Sequence, residues 1–285
     1  METLKLAIQK SGRLSEKSLG IIAEAGINLV NGSRKLISPA SNFPFEILFL
    51  RDDDIPQYVA DGVADAGIVG ENVLKESGNQ LEILERLGFA RCRLSLAVPK
   101  GVDYTGPEYF AGKRIATSYP RILQSYLSER HIPAEIHVIN GSVEIATGIG
   151  LADSIFDIVS TGSTLLGNGL KEVEKVMDSE AVLLASPLMN VEKKKIAGEF
   201  LFRLRTVLAS RNNKYILLNA PNDKIDQIIK VLPGMKSPTV LPLAIEGWSS
   251  VHSVVNENDF WQVIGKLKEY GAEGILVIPI EKMIV

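Results

Sequence analysis

Short apolar runs of strand length alternate with amphipathic segments along the first two thirds of the chain, and this alternation constrains the fold most strongly. FEILFL (45–50) and CRLSLAVP (92–99) are typical of strands, whereas SEKSLGIIAEAG (15–26) and RILQSYLSER (121–130) place apolar residues at helical spacing. SVEIATGIGLA (142–152) is predicted to form a further helix. Alternation of this length predicts mostly parallel sheets covered by helices. Two such units in succession predict two α/β lobes with a cleft between them.

The last third of the chain has a different pattern. EKKKIAGEFLFRLRTVLASRNN (192–213) predicts one long amphipathic helix, because Ile196, Phe200, Leu204 and Leu208 recur every four residues. The following segment reads strand, helix, strand, strand, helix, strand. This order is that of the ferredoxin-like fold.

The length and composition support a division into domains. A chain of 285 residues that is 46% hydrophobic can build two or three separate cores. We expect a first part, residues 1–195, with one lobe at about 1–92 joined by 180–195 and the other at about 93–179. Residues 196–285 would hold the connecting helix and the ferredoxin-like domain.

Charge and cysteine content exclude some functions. The net charge of −3 gives no global basic field, so nucleic acid is not expected as a partner. The single cysteine, Cys92, cannot form an internal disulfide, which is typical of a reducing compartment. No apolar run approaches the roughly 20 residues needed to cross a bilayer, and the N-terminus does not read as a signal peptide. We therefore expect a cytoplasmic protein with no membrane partner.

The stretch FDIVSTGSTLLGNGL (156–170) predicts an anion site. An apolar strand leads into a hydroxyl-rich turn and then into a helix, whose first free N–H groups attract phosphate. Gly162 allows close backbone approach, while Thr161, Ser163 and Thr164 add hydroxyl donors. The stretch lacks the lysine of a nucleotide-binding P-loop, so it suits a monophosphate at the end of a sugar. An ordinary helix cap with a tight turn is the alternative.

Two carboxylates lie close to this stretch in the sequence. Asp153 and Asp157 could accept hydrogen bonds from ribose hydroxyls or hold Mg²⁺ through water. Surface or capping roles remain open for both.

Several long motifs carry a resemblance to a known family. They are residues 139–170, QKSGRLSEKS (9–18), RDDDIP (51–56) and DGVADAGIVGEN (61–72), with SPTVLPLA and GAEGILVIPIEKMI near the C-terminus. Together they closely resemble the ATP phosphoribosyltransferase family in its long form, from about Leu4 to Ile284. The resemblance implies a two-lobed catalytic part similar to type II periplasmic binding proteins, followed by a regulatory ferredoxin-like domain.

The resemblance also implies a reaction. N1 of the adenine of ATP joins C1 of the ribose of phosphoribosyl pyrophosphate, and pyrophosphate leaves; this is the first step of histidine biosynthesis. Thr161 to Leu165 would hold the 5-phosphate of the sugar. The paired acidic residues that precede the phosphate loop in other phosphoribosyltransferases are replaced by Val159 and Ser160. The reaction needs no protein nucleophile, but Mg²⁺ and basic side chains must neutralise the leaving group.

Candidates for these charges follow the predicted strands. Lys10 and Arg13 lie in the loop after the first strand, and Arg51 ends the third apolar run. Tyr119 could stack on adenine. The alternatives are a helix start for the segment around Arg51 and a structural role for Tyr119 beside Pro120. Which residues hold Mg²⁺ stays open.

The resemblance further implies feedback inhibition by histidine bound to the C-terminal domain. We expect Thr239, Val254 and Gly274 at that site, and a homo-oligomer between dimer and hexamer. Two alternatives remain: a non-catalytic small-anion or amino-acid binding protein of the same fold, and a regulatory subunit without turnover.

Overall fold

The computed structural model describes residues 2–30, 36–232, 234 and 237–284. The chain divides into two compact units. One comprises the residues up to Ala23 together with Ile27–Leu201, and the other comprises Glu24–Gly26 and the residues from Phe202 onward.

The first unit contains two sheets, and the first of them has six strands. Their order across the sheet is β2-β3-β1-β4-β11-β5. The strands are β1 (Leu4–Gln9), β2 (Ile37–Pro39), β3 (Phe45–Leu50), β4 (Ala66–Gly70), β5 (Glu82–Arg86) and β11 (Ala181–Ala185). The helices of this lobe are α1 (Arg13–Glu24), α2 (Ile55–Ala60) and α3 (Glu71–Ser77). Apolar residues of α2 and α3, among them Ile55, Val59 and Leu74, form a core cluster with Val69 and Leu184 of the sheet.

The second sheet has five strands in the order β10-β6-β9-β7-β8. The strands are β6 (Cys92–Pro99), β7 (Arg114–Thr117), β8 (Glu135–Val138), β9 (Ser154–Val159) and β10 (Leu170–Ser179). The helices of this lobe are α4 (Pro120–Glu129) and α5 (Ser163–Gly167). Leu123 and Leu127 of α4 are buried in one cluster with Phe110, Ile115 and Phe156.

Both sheets share one topology. Apart from the short β2, the strands follow the orders β3-β1-β4-β11-β5 and β8-β7-β9-β6-β10. In each lobe the first three strands are mutually parallel, and the fourth is antiparallel to its neighbours. That antiparallel strand arrives directly from the other lobe, so the chain crosses between lobes after β5 and again after β10. The two-lobed α/β fold expected from the sequence is confirmed.

One predicted helix is wrong. Residues 142–152 form only a short 3-10 turn, Val143–Ile145, followed by further turns. Gly148 and Gly150 explain the difference, because Gly150 adopts φ +75° and interrupts helical geometry. Ile145 and Ile149 are consequently exposed.

The second unit contains a four-stranded antiparallel sheet in the order β13-β14-β12-β15. The strands are β12 (Asn213–Pro221), β13 (Thr239–Pro242), β14 (Trp248–Asn256) and β15 (Glu273–Pro279). Its helices are α7 (Ile225–Val231) and α8 (Glu257–Glu269), together with the part of α6 (Val191–Arg211) from Phe202 onward. The arrangement from β12 to β15 confirms the predicted βαββαβ domain. In the part of the chain that the structure describes, no helix is long and apolar enough to cross a membrane.

Candidate active site

The carboxyl ends of the parallel strands in the two lobes border one cavity. Its volume is about 560 Å³. It is lined by Arg51, Asp52, Asp53, Val73, Glu76, Ser77, Ser118, Tyr119, Asn140 and Gly141. Residues that follow β3 in one lobe and β7 and β8 in the other therefore face a common space. This is where α/β proteins place their ligands.

The predicted basic residues cluster on the first lobe. The Lys10 N–H donates to the carbonyl of Leu50 at 2.8 Å, which brings the loop after β1 beside the end of β3. Lys10, Arg13 and Arg51 are all exposed, and of the three only Arg51 lines the cavity. Three cationic side chains thus lie near the ends of two neighbouring strands.

Arg51 also precedes a helix start rich in carboxylates. A 3-10 turn over Asp52–Asp54 leads into α2. Burial and the neighbouring charges of Asp52 and Asp54 raise the pKa of Asp53, while Arg51 opposes this shift. The segment is therefore a helix start, the alternative considered from the sequence, and it also forms part of the cavity wall. Its closely spaced carboxylates favour the binding of a nearby cation.

Tyr119 follows the end of β7 in the second lobe. It is the N-cap residue of α4, and its N–H donates to the Thr117 hydroxyl at 2.8 Å. Burial raises the pKa of its phenol, and the carboxylates of Asp157, Asp52 and Asp53 raise it further. A hydrogen bond with the side chain of Asn72 acts in the opposite direction. Carboxylates of both lobes therefore act electrostatically on this tyrosine.

The hydroxyl-rich loop follows β9 as predicted. Gly162 is the N-cap residue of α5 and adopts φ +81°, and the Leu166 N–H donates to its carbonyl at 3.1 Å. The hydroxyl oxygens of Thr161 and Ser163 lie 3.0 Å apart. Thr161, Ser163 and Thr164 are exposed, whereas Leu165 is buried and anchors the short helix. The loop thus presents its hydroxyls to solvent on a fixed base.

An ion pair in the strands behind the loop supports it. Arg93 of β6 donates to both carboxylate oxygens of Glu172 at 2.5 Å and to the carbonyl of Ser160 at 3.1 Å. Ser95 adds a hydrogen bond to Glu172 at 2.7 Å. Hydrogen bonding from Arg93 lowers the pKa of the Glu172 carboxyl. Sequence analysis missed this support, because its members lie on different strands.

Asp157 lies in β9, the strand that leads into the loop. It is partly buried in β9, and the electrostatic influence of its carboxylate on Tyr119 puts the two side chains in one region. Burial raises the pKa of its carboxyl, although a hydrogen bond from the Ile158 N–H at 2.7 Å acts against this. A carboxylate in this position can accept hydrogen bonds from ligand hydroxyls.

Asp153 is not brought together with the loop. It precedes β9, whereas the loop follows β9, and six extended residues span about 20 Å. Its carboxylate accepts hydrogen bonds from the backbone N–H of Arg114 at 2.9 Å and from the guanidinium of Arg114 at 3.0 and 3.2 Å. Hydrogen bonding from Arg114 lowers the pKa of the Asp153 carboxyl to about 2. Against the prediction, Asp153 joins the starts of two strands.

Comparisons with known proteins bear on this geometry. A family model described as ATP phosphoribosyltransferase matches residues 51–206, and one described as the HisG C-terminal domain matches residues 210–282. The ATP phosphoribosyltransferase of Phocaeicola vulgatus is 59% identical over 281 residues, covering 99% of both chains. The chain belongs to the ATP phosphoribosyltransferase family.

Further relatives agree with this membership. The ATP phosphoribosyltransferase of Cytophaga hutchinsonii is 60% identical, covering 99% of this chain and 98% of its own. A solved structure, the ATP phosphoribosyl transferase (HisG:HisZ) complex from Thermotoga maritima, shares 31% identity with a TM-score of 0.64. It covers 73% of this chain and 99% of that chain, so about a quarter of the present chain has no counterpart there.

Family membership confirms the expected activity. The chain is a pentosyltransferase that joins ATP and phosphoribosyl pyrophosphate in the first step of histidine biosynthesis. The non-catalytic alternatives are set aside, because relatives near 60% identity over the full chain are transferases.

The structure adds residues that sequence analysis missed. The Asn72 N–H donates to the Ser179 hydroxyl at 3.0 Å, and that hydroxyl donates to Asn72 Oδ1 at 2.8 Å. The pair therefore ties the end of β4 to the crossing between lobes. Ser118 and Asn140 line the cavity after β7 and β8. The rule that ligands bind at carboxyl ends of parallel strands could have found all but Ser179.

The residues predicted to bind histidine lie on the sheet of the second unit. Thr239 pairs with His252, and Val254 pairs with Tyr215, so both side chains lie on the face opposite the helix-covered core. Gly274 is in β15, at the other edge, with φ +56°. Three strand spacings separate the two edges, or about 14 Å. Thr239 and Gly274 of one chain therefore cannot hold the same small amino acid.

Metal binding by the protein alone finds no support. Within residues 2–30, 36–232, 234 and 237–284, no group of three or more His, Cys, Asp or Glu side chains is arranged to hold a metal ion.

Proposed function

We propose that phosphoribosyl pyrophosphate and ATP share the cleft between the two lobes, with the sugar phosphate on the Thr161–Leu165 loop and the adenine beside Tyr119. The observation that carries this proposal is a cavity of about 560 Å³ that residues of both lobes line, among them Arg51 and Tyr119. Its volume lies within the range of small-molecule sites, about 300–1,000 Å³.

The loop suits the 5-phosphate because its donors are exposed and its base is fixed. Hydroxyls of Thr161, Ser163 and Thr164 are open to solvent. Free N–H groups at the start of a helix add donors that need no side chain. Asp157 is partly buried in β9, the strand that precedes the loop. From this position its carboxylate would accept hydrogen bonds from the ribose hydroxyls.

The pyrophosphate would lie against the basic residues of the first lobe. Attack by N1 of the adenine on C1 of the ribose breaks the C1–O bond, and the bonding electrons leave with the pyrophosphate. Lys10, Arg13 and Arg51 would stabilise that growing negative charge. Preorganised cations at such a position act mainly on the transition state.

Mg²⁺ fits this arrangement as a companion of the phosphates. The metal usually keeps several waters and binds one or two carboxylates together with substrate phosphates. Asp52 and Asp53 offer such carboxylates at the cavity wall, and burial together with the neighbouring carboxylates raises the pKa of Asp53. When bound, the ion would neutralise charge on the departing pyrophosphate.

The test is pyrophosphate release from ATP and phosphoribosyl pyrophosphate by the wild type and by Arg51→Gln. We expect release only with both substrates, and a kcat about a hundredfold lower in the variant, because one preorganised charge is removed. Arg130→Gln, at the far end of α4, is the matched control and should leave kcat within about twofold. Wild-type kcat in Arg51→Gln would contradict the role given to this residue.

We also propose that histidine inhibits the enzyme by binding the second unit of a homo-oligomer, between dimer and hexamer. Thr239 and Val254 would contribute from one chain and Gly274 from a neighbour. The separation of the two sheet edges supports this division, because one chain alone cannot surround the ligand. The expected location is the cytoplasm, which agrees with membership of a biosynthetic enzyme family.

A further inference from the structure

One carboxylate reaches from the first lobe to a helix of the second. Glu76 lies in α3, and its Oε1 accepts a hydrogen bond from the Arg121 N–H at 2.9 Å. Its Oε2 accepts one from the Ile122 N–H at 3.0 Å. Both donors lie in the first turn of α4. The two oxygens of a single side chain thus join the lobes.

The first turn of α4 needs such a partner. A helix leaves its first N–H groups without intrahelical acceptors, and the positive end of its dipole attracts anions. Tyr119, the N-cap residue, makes no side-chain cap hydrogen bond, and Pro120 has no N–H to donate. Glu76 therefore acts as the cap that the second lobe does not supply for itself. Hydrogen bonds to a charged acceptor are among the stronger ones in proteins.

A second contact lies at the same place. Gly78 ends α3 with φ +74°, and a Cβ at this position would lie 2.5 Å from Nη1 of Arg121. The guanidinium of one lobe consequently rests on the bare backbone of the other. The C-terminal end of α3 and the N-terminal end of α4 face each other, which is a favourable arrangement of helix dipoles.

This junction borders the candidate active site. Glu76 and Tyr119 line the same cavity, and Tyr119 directly precedes the capped turn. We infer that Glu76 is a positioning residue: it holds the lobes closed over ATP and fixes Tyr119 through the cap of α4. The inference rests on the proposed function, because that proposal assigns the adenine to Tyr119.

The experiment compares Glu76→Gln and Glu76→Ala with the wild type. Gln keeps the shape and one good acceptor but removes the charge, whereas Ala removes both hydrogen bonds. We expect KM for ATP to rise about threefold in Glu76→Gln and about tenfold in Glu76→Ala. The kcat of both variants at saturating substrates should stay within about twofold of the wild-type value. Glu82→Gln, an exposed carboxylate on β5, removes the same charge in the same lobe and should change neither parameter.

A distance measurement separates this inference from the proposed function. Spin labels at positions 17 and 129, both exposed and in different lobes, are introduced into a Cys92→Ala background. Without substrate, Glu76→Ala should broaden the distance distribution relative to the wild type, and saturating ATP with phosphoribosyl pyrophosphate should narrow it again.

The outcomes are distinct. An unchanged distribution in Glu76→Ala would overturn the inference whatever the kinetics. A loss of kcat without a change in KM would also overturn it, because Glu76 would then act in the chemical step. A wild type that releases no pyrophosphate would refute the proposed function, while the distances would still test the contact between lobes.

Discussion

Gly162 controls the shape of the loop after β9. It caps α5 with φ +81°, a conformation that L-residues with a Cβ rarely adopt. A Cβ built there would meet only Val159 at 3.9 Å, so space is available and the conformation is the constraint. The loop therefore depends on glycine for its backbone rather than for room.

Replacing this glycine tests that statement. Gly162→Ala should lower the free energy of unfolding by about 1–2 kcal/mol, because the alanine is forced into the left-handed region. KM for phosphoribosyl pyrophosphate should rise as the loop relaxes. Gly167→Ala, later in the same helix and without a positive φ, is the matched control and should leave stability nearly unchanged. Urea unfolding of both variants measures the difference, and equal stabilities would count against a strained cap.

At the residue scale, the sequence allows site residues to be predicted where they directly follow a strand. It does not allow this where residues close in sequence lie far apart in the fold. Arg51 directly follows the apolar run FEILFL, and Tyr119 lies in the strand-like segment KRIATSYP, so the sequence could predict a strand end for both. Asp153 is near the loop in sequence but not in space, because the whole strand β9 separates them. Glu76 lies inside a helix, and only the closed arrangement of the lobes reveals its partners.

At the scale of elements, the ion pair of Arg114 and Asp153 joins the starts of β7 and β9. The pKa of the Asp153 carboxyl is about 2, below its ordinary value of 3.8, so the folded state favours the ionised form. A lowered pKa adds stability above about pH 4, and this contribution disappears as the pH falls from about 4 towards 2. The side chain is 35% exposed, so solvent weakens the effect.

Asp153→Asn should therefore lower the free energy of unfolding by about 1 kcal/mol at pH 7, and by progressively less as the pH falls below 4. KM for phosphoribosyl pyrophosphate should stay within about twofold, since the residue lies at the far end of β9. Asp178→Asn, which breaks an exposed ion pair with Lys175, is the control. It should lower the free energy of unfolding by less than Asp153→Asn does. Urea unfolding at pH 7, 5 and 3 gives the comparison. A large increase in KM would restore Asp153 to the substrate site.

Helices and strands with a regular pattern of apolar residues could be predicted from the sequence. Strands that depend on contacts with distant parts of the chain could not. The strands β6 and β9 follow from continuous apolar runs, and the last domain follows from its regular alternation. β10 has the sequence LKEVEKVMDS, in which charged residues occur in adjacent pairs and no strict alternation is kept, and it pairs with β6 through two register shifts. Its sequence therefore carries no clear strand signal. β11 is a run of five apolar residues between β4 and β5 that the sequence analysis did not identify as a strand.

At the scale of the whole molecule, the sheet of the second unit presents an apolar face away from α7 and α8. Leu241, Leu276 and Ile278 of its edge strands are 50%, 53% and 43% exposed. Their pairing places them on the same face as Thr239 and Val254. His252 bridges the hydroxyls of Tyr215 and Ser250 on that face, at 2.7 and 3.0 Å. An exposed apolar surface with ordered polar groups is typical of an interface.

Sedimentation velocity with and without histidine tests the proposed assembly. Histidine should shift the wild type towards the larger species, because a ligand that spans two chains binds the assembly more tightly. Thr239→Val should show no shift at the same concentration. Ser237→Ala, which removes an exposed hydroxyl two residues earlier, should behave as the wild type. A wild-type distribution that ignores histidine would contradict an assembly mechanism.

The central claim is that the two substrates divide the cleft between the loop after β9 and the region of Tyr119. Its most direct test is the KM of each substrate, measured with the other saturating, in Thr164→Val and Tyr119→Leu. Thr164→Val removes one hydroxyl without changing size, and KM for phosphoribosyl pyrophosphate should rise roughly tenfold, the effect of about 1.4 kcal/mol. Tyr119→Leu removes the aromatic face and should raise KM for ATP by a similar factor.

Thr164→Ser and Tyr119→Phe retain the hydroxyl and the ring respectively, and each should stay closer to the wild type than its partner variant. The account predicts that each of the two disruptive variants affects one substrate and leaves the KM of the other within about twofold. The account would be contradicted if Thr164→Val and Tyr119→Leu both raised the KM of the same substrate. It would also be contradicted if neither variant changed either KM.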